Sequence, residues 1–386
     1  MAQTDILKLW LKEPRKKSLF GNAEKALQKA MIGCSVGVWN IRYSIGMSRH
    51  QSLLQNLSLT LATIVAFFVV IELVLRVTGI DSGRPHTPPI YQKSEDPALS
   101  YELKPNLNES AFRSTIVTDR RGFRSEEIHP GKPTIAILGD SVAFGYGIEN
   151  NETLGARLSD LLEKKFNVVT GAAPGYTVSQ EAALYKEKIA QLHPQTLILV
   201  FYWNDLTDTE PAVLDEDGNL QAPGWTPGQP TCHPIETGIL GYLPGRCWFD
   251  LHSAFYRTVK KVISMKTENK NLEDQEVESR KNAFGETVTD EALKKYEQRL
   301  ASFVSTLPRS LKMLFVIWPE KQLHLQSTVK LRAIAEKQDF QVLNLYEVFG
   351  NKPESLSWDT VHPSAKTIEE AANVTGAALE EWKLLP

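Results

Sequence analysis

Two short stretches roughly 220 residues apart hold the residue types that nucleophilic catalysis needs: Gly139-Asp140-Ser141 and Asp359-Thr360-Val361-His362. A serine hydroxyl is a poor nucleophile until a base removes its proton, and a third group must hold that base in the right tautomer. An Asp three residues before a His is close enough to orient that same His. Ser141 follows the apolar run Thr134-Ile135-Ala136-Ile137-Leu138, so it sits at the mouth of what reads as a buried strand. Each stretch alone is a common turn or surface pair; together they contain nucleophile, base and orienting carboxylate.

Between them lie groups suited to stabilising a developing oxyanion, which requires hydrogen-bond donors aimed at the new negative charge. The loop Thr170-Gly171-Ala172-Ala173-Pro174-Gly175-Tyr176 follows the strand-like Phe166–Val169 and can bring a glycine N–H close to a ligand. A third apolar run, Thr196–Trp203, ends in Asn204-Asp205, and an Asn amide is a suitable second donor.

These pieces resemble the SGNH hydrolases, also called the GDSL-type esterase family, whose four sequence blocks contribute in order a Ser, a Gly, an Asn and an Asp-x-x-His. The matches are Gly139-Asp140-Ser141, Gly175, Asn204, and Asp359 with His362, in the family's order from about residue 134 to the C-terminus, interrupted after Asp205. The resemblance implies a three-layer α/β/α, flavodoxin-like domain with a central parallel sheet. It implies a serine ester hydrolase or O-acyltransferase with Ser141, Asp359 and His362 as the triad. The oxyanion hole would be the Ser141 and Gly175 N–H groups and the Asn204 amide, with no cofactor or metal. One departure bears on pocket shape: Tyr202 stands where the third block often has glycine. Anchored members in bacterial envelopes modify polysaccharides, sometimes beside a multi-spanning acyl carrier. The implied partners are therefore an acyl-ester or glycan substrate and a membrane-bound acyltransferase. A subunit that keeps the fold without catalysis is the competing reading, against which the complete set of catalytic residue types argues.

The elements that must position these groups can be read from periodicity. Strands at 134–138, 166–169 and 196–203 alternate with helices near Thr153–Lys165 and Ser179–Gln191; later come strands Leu314–Trp318 and Gln341–Leu343 around a helix near Leu323–Lys337. Apolar runs alternating with helical periods imply a parallel sheet covered on both faces. Its catalytic loops would then share the edge at the strand C-termini. Phe144-Gly145-Tyr146-Gly147 suggests a tight turn, and no Gly-Lys-Ser/Thr follows to make it a phosphate loop. Residues 206–284 interrupt the alternation with prolines, glycines and the aromatics Trp225, Tyr242, Trp248 and Phe249, then an amphipathic helix over Asp250–Met265. This insert reads equally as a lid or as surface decoration.

Ahead of the domain, residues 79–131 form a lead-in with short strands, in which Thr118–Arg124 reads as a solvated turn carrying three arginines. Residues 57–78 have the roughly 20-residue apolar length that spans a bilayer. Glu72 is the costly residue there; Arg76, four residues on, can pair with it on one helix face. A buried core helix is the alternative. Residues 1–56 carry nine Lys and Arg against three Asp and Glu, a net of +6, while residues beyond Thr78 sum to −9. Positive charge marks the cytoplasmic side, so the 132–386 domain is expected in the periplasm or on the outer face. The arm itself reads as amphipathic helices on the inner leaflet or as a partner-docking segment. A formal net charge of −3 argues against a nucleic-acid binder. Of three cysteines, Cys34 falls in the arm, while Cys232 and Cys247 fall in the exported insert, where an oxidising compartment permits a disulfide. No Cys/His grouping has metal-ligand spacing; Cys232-His233 lacks further ligands.

Overall fold

A computed structural model describes residues 49–78, 90–206, 210–215, 218, 220–221, 223–226, 243–263, 266, 288–357, 359 and 361–386. The 1–48 arm with Cys34, and Cys232 with much of the insert, lie outside the described residues. The chain divides into two units, Met1–Val70 and Ile71–Pro386. The first described element, α1 (Arg49–Thr78), crosses that boundary. Its stretch Gln55–Thr78 has a mean hydropathy of 2.5 and is long and apolar enough to span a membrane. None of its side chains is buried, unlike those of a core helix. The hydroxyls of Ser58, Thr60 and Thr63 donate back to carbonyls three or four residues earlier, which hides their polarity on the helix surface.

The lead-in is β-structured. Strand β1 (Tyr91–Lys93) pairs antiparallel with β2 (Tyr101–Leu103), and β3 (Asn108–Ala111) forms a hairpin with β4 (Ser114–Val117). Gly122 takes φ 88°, and a Cβ there would meet the Leu103 carbonyl oxygen at 2.5 Å. Arg124 overturns the expectation of a solvated turn: its side chain is buried at 1 % exposure.

The core sheet follows from the all-buried apolar runs, which a strand covered on both faces requires. Strands β5 (Thr134–Gly139), β6 (Asn167–Ala172) and β7 (Thr196–Phe201) precede the insert, which contains the small pair β8 (Val213–Leu214) and β9 (Leu220–Gln221); β10 (Lys312–Ile317) and β11 (Gln341–Asn344) complete the sheet. The order is β6-β5-β7-β10-β11, all parallel. This is the flavodoxin-like order, in which the chain steps to one side of β5 and then crosses to the other. The crevice between the C-terminal ends of β5 and β7 is the switch point where such sheets bind ligands.

Helices α2 (Ser141–Phe144), α3 (Leu154–Leu161) and α4 (Val178–Leu184) follow the first strands; α5 (Arg246–His252) and α6 (254–263) belong to the insert; α7 (Asp290–Val304), α8 (Leu325–Glu336), α9 (Tyr346–Phe349) and α10 (Ala365–Glu381) complete the domain. Helix α10 buries Ile368, Ala371, Ala372, Thr375 and Leu379 at helical spacing and packs on α3, where Leu158 and Leu161 meet Gly376. Helix α7 packs with α4 and α8 in the other layer; its Tyr296 and Phe303 meet Phe201, Phe315 and Tyr185 at ring separations of 5.2, 6.4 and 5.8 Å. The result is a three-layer α/β/α domain.

The insert corrects one expectation. The helix expected over Asp250–Met265 is two helices, broken at Ser253, whose φ of −117° and ψ of 114° are extended. The break is stabilised from outside the insert. Glu72 Oε1 accepts the Ala254 N–H at 2.8 Å, and Oε2 accepts the Phe255 N–H at 2.9 Å and the Ser253 hydroxyl at 3.1 Å. A helix N-terminus exposes such unpaired N–H groups, and a carboxylate is their favoured partner.

Candidate active site

The site is built at the end of β5. A Cβ on Gly139 would meet Ala143 Cβ at 2.7 Å and the Val200 carbonyl oxygen at 2.9 Å, so the strand passes β7 at a distance that only glycine permits. Asp140 then caps α2, its Oδ1 accepting the Val142 N–H at 2.9 Å. Ser141 is the first residue of that helix, so its N–H belongs to the turn that has no intrahelical acceptor. Gly145, at φ 81°, ends the helix after one turn.

Loops after β6 and β7 bring the next two groups to the same edge. Gly175 has φ 82°, a left-handed conformation costly for other residues, and a Cβ there would meet the Tyr101 hydroxyl oxygen at 3.1 Å. That hydroxyl donates to the Pro174 carbonyl at 2.6 Å. In a trans peptide the N–H points opposite the carbonyl, so Tyr101 fixes the direction of the Gly175 N–H. The clamp is reciprocal, since the Tyr176 hydroxyl donates to the Tyr101 carbonyl at 2.8 Å. Asn204 donates its side-chain amide to Asp140. A carboxamide carries two N–H bonds, so this contact orients the second as well. The Trp203 indole holds the same turn, donating to the Trp318 carbonyl at 3.1 Å and stacking on buried His324 at 3.8 Å.

Asp359 and His362 arrive on the loop before α10. Asp359 Oδ1 accepts the Val361 N–H at 2.7 Å and the His362 N–H at 2.9 Å, and it lies 3.1 Å from His362 Nδ1. That ring contact is off the line of a straight hydrogen bond. Burial alone would raise the Asp359 carboxyl, but the His362 ring and the two backbone N–H groups outweigh it and hold it at about 2. Burial raises the Asp140 carboxyl, opposed by the Val142 N–H, the charge of nearby His362, Asn204 and Ser141. His362 therefore stands within electrostatic reach of the residue preceding Ser141. The Ser141 hydroxyl points at Asp140 Oδ2, 3.5 Å away, and no hydrogen bond joins it to His362 among the described residues. A proton transfer between the two would require the serine to rotate toward the imidazole, and such loose geometry is common in sites before substrate binds.

Residues outside the expected triad and oxyanion hole hold this arrangement. The Tyr146 ring stacks on His362 at 4.0 Å with 22° between planes, and Phe112 stacks on Tyr146 at 4.3 Å. Burial pushes the Tyr146 phenol up to about 12, Asp359 adding to the rise and Arg113 opposing it. Arg124 fixes the loop that carries Tyr146. Its Nε donates to Asn150 Oδ1 at 2.7 Å, Nη1 to the Phe144 and Gly145 carbonyls at 3.0 and 2.6 Å, and Nη2 to the Ile148 and Thr115 carbonyls at 2.6 and 3.3 Å. Burial brings its guanidinium down to about 10, with Glu149 opposing. Tyr202 is buried, and burial followed by the charges of Glu320, Asp140, Tyr346 and Asp359 raises its phenol well above the usual range. The residue standing where glycine was expected is thus a buried tyrosine within electrostatic reach of Asp140 and Asp359. Lys261 of α6 reaches the same region; burial lowers its amine, Asp359 opposing and Arg113 assisting.

Among the described residues no three His, Cys, Asp or Glu side chains converge as a metal site. Cys247 is disulfide-bonded, and both other cysteines lie outside the described residues.

No family model matches the chain, and no curated protein matches it in sequence. Solved structures similar to it include TesA (13 % identity, 65 % of this chain and 99 % of that one, TM-score 0.39). They also include the psychrotrophic esterase EstA from Pseudoalteromonas sp. (13 %, 65 % and 98 %, TM-score 0.38) and the acetyl xylan esterase AlAXEase (12 %, 64 % and 99 %, TM-score 0.36).

Proposed function

We propose that this protein is a membrane-anchored serine ester hydrolase or O-acyltransferase that acts on acyl esters of envelope glycans. The observation that carries the reading is the convergence, at one switch-point edge, of a helix-start serine, a clamped Gly N–H, an oriented Asn amide and an Asp–His pair. In the proposed mechanism Ser141 Oγ attacks the ester carbonyl carbon as His362 Nε2 takes its proton. The negative charge moves to the carbonyl oxygen, where the Ser141 and Gly175 N–H groups and the Asn204 amide receive it. Asp359 orients the imidazole and stabilises its cation. Collapse expels the alcohol, protonated by His362, and leaves acyl-Ser141. Water then gives hydrolysis; an acceptor hydroxyl gives transfer. The anchor favours substrates concentrated at the membrane, which supports glycan or lipid-linked esters over soluble ones.

A fluorophosphonate probe tests the reading, since it esterifies only an activated serine. Wild-type protein is expected to label and Ser141→Ala to remain unlabelled while folding normally. A folded wild-type protein that resists the probe points to the non-catalytic subunit. Partition between acetylated glycan and free acetate, after loading from an activated acetyl ester, separates transferase from hydrolase.

A further inference from the structure

Glu72 does something that an anchor does not need. It stands in the last turns of α1, ion-paired to Arg76 at 2.7 Å, and its carboxylate seats the N-terminus of α6. Arg76 also donates to the His252 carbonyl at 2.6 Å, the last residue of α5. The junction between the two insert helices is thus bound to the end of the membrane-length helix by four polar contacts.

The insert segment beside that junction has the composition of an interfacial element. Leu243, Trp248, Phe249, Val262 and Ile263 are exposed, Trp248 at 60 %. Trp248 and Phe249 adjoin each other edge to face at 5.3 Å. Residues 243–263 carry Arg246, Arg257, Lys260 and Lys261 against Asp250 alone, a net of +3 within a domain whose sum is −9. Aromatic and aliphatic exposure combined with a local excess of cations is the signature of a segment that lies in the headgroup region of an anionic bilayer. Helix α6 starts at the Glu72 latch. At 1.5 Å per residue, Ala254 to Lys261 covers about 10 Å, and Lys261 is already within electrostatic reach of Asp359.

We propose that residues 243–263 form a platform that seats on anionic lipid beside α1, latched by Glu72, and that this platform holds the Ser141 site at the bilayer surface. The proposal rests on the membrane-anchored reading above. It makes the occupant of the exposed aromatic face a lipid surface, continuous with the one that α1 crosses.

The test uses the full chain in nanodiscs of phosphatidylcholine and phosphatidylglycerol at 3:1, with and without brominated acyl chains. The Trp248 signal is isolated as the difference between wild type and Trp248→Phe. Brominated lipid is expected to quench that signal at least twofold, and Glu72→Ala is expected to restore it while the chain still resists carbonate extraction. Replacing phosphatidylglycerol with phosphatidylcholine should weaken the quenching. A Trp248 signal that brominated lipid leaves unchanged but aqueous iodide quenches overturns the platform, as does a chain that carbonate extracts. Fluorophosphonate labelling of Ser141 in the same samples separates the two readings: labelled protein with a water-exposed Trp248 sinks only the platform, and unlabelled protein with a lipid-quenched Trp248 sinks only the enzyme.

Discussion

A single carboxylate oxygen, Asp359 Oδ1, accepts two backbone N–H groups and faces His362 Nδ1 at 3.1 Å. These interactions hold the carboxyl at about 2 against an ordinary 3.8. A depressed folded-state pKa gives stability that is present above the unfolded value and is lost as pH falls through the folded one. At 1.36 kcal/mol per unit, Asp359 contributes about 2 kcal/mol at neutral pH. Asp359→Asn is therefore expected to cost about that much at pH 7, with the gap to wild type narrowing to about half by pH 3. Urea unfolding of both proteins across that range measures it; a gap that stays constant with pH refutes the assignment. His362 was legible here because its partner lies three residues away. Arg124 was not. Three arginines around a glycine look alike in sequence, and only one is swallowed by the carbonyls of Phe144, Gly145 and Ile148.

The β3–β4 hairpin is the element in which backbone strain meets the candidate site. Its two-residue loop, Phe112-Arg113, has φ values of 53° and 63°. Positive φ at both loop positions is what a type I′ turn demands, and it suits Asn-Gly far better than Phe-Arg. Bulky residues kept in such a conformation cost on the order of 1 kcal/mol each and persist where something else requires them. Here the requirement is visible: Phe112 backs Tyr146, which backs His362. Replacing Phe112-Arg113 by Asn-Gly is expected to raise stability by about 1 kcal/mol and lower kcat several-fold. Thermal unfolding and turnover of a soluble activated ester read the two effects; a variant with gains in both removes any role for the tip. Sequence periodicity found the strands of the core sheet but not this coupling, because a hairpin's tip residues reveal nothing of what they lean on.

At the scale of the whole molecule, the polarity of charge about α1 sets the expected side of a membrane for the proposed site. The arm of +6 precedes α1 and the stretch of −9 follows it in sequence, a bias by which the positive side is expected in the cytoplasm. A phosphatase reporter fused after Pro386 is expected to be active in the periplasm and one fused near Gln51 inactive; the reverse pattern overturns the orientation and, with it, an oxidising setting for the bonded Cys247. The sequence by itself determined the alternation of buried strand and helix, the order of the four candidate site blocks, and a span of membrane length. Each of these is local: a run of apolar residues, a tripeptide, a spacing of three. Tertiary structure alone decided that Tyr101 aims the Gly175 N–H, that Arg124 braces the loop behind His362, and that Glu72 ends one helix of the insert and begins the next. These pairings join residues between about 20 and 180 positions apart. A buried polar side chain takes its role from whichever unpaired backbone groups the fold brings to it, and nothing in its immediate neighbours in sequence encodes which those will be.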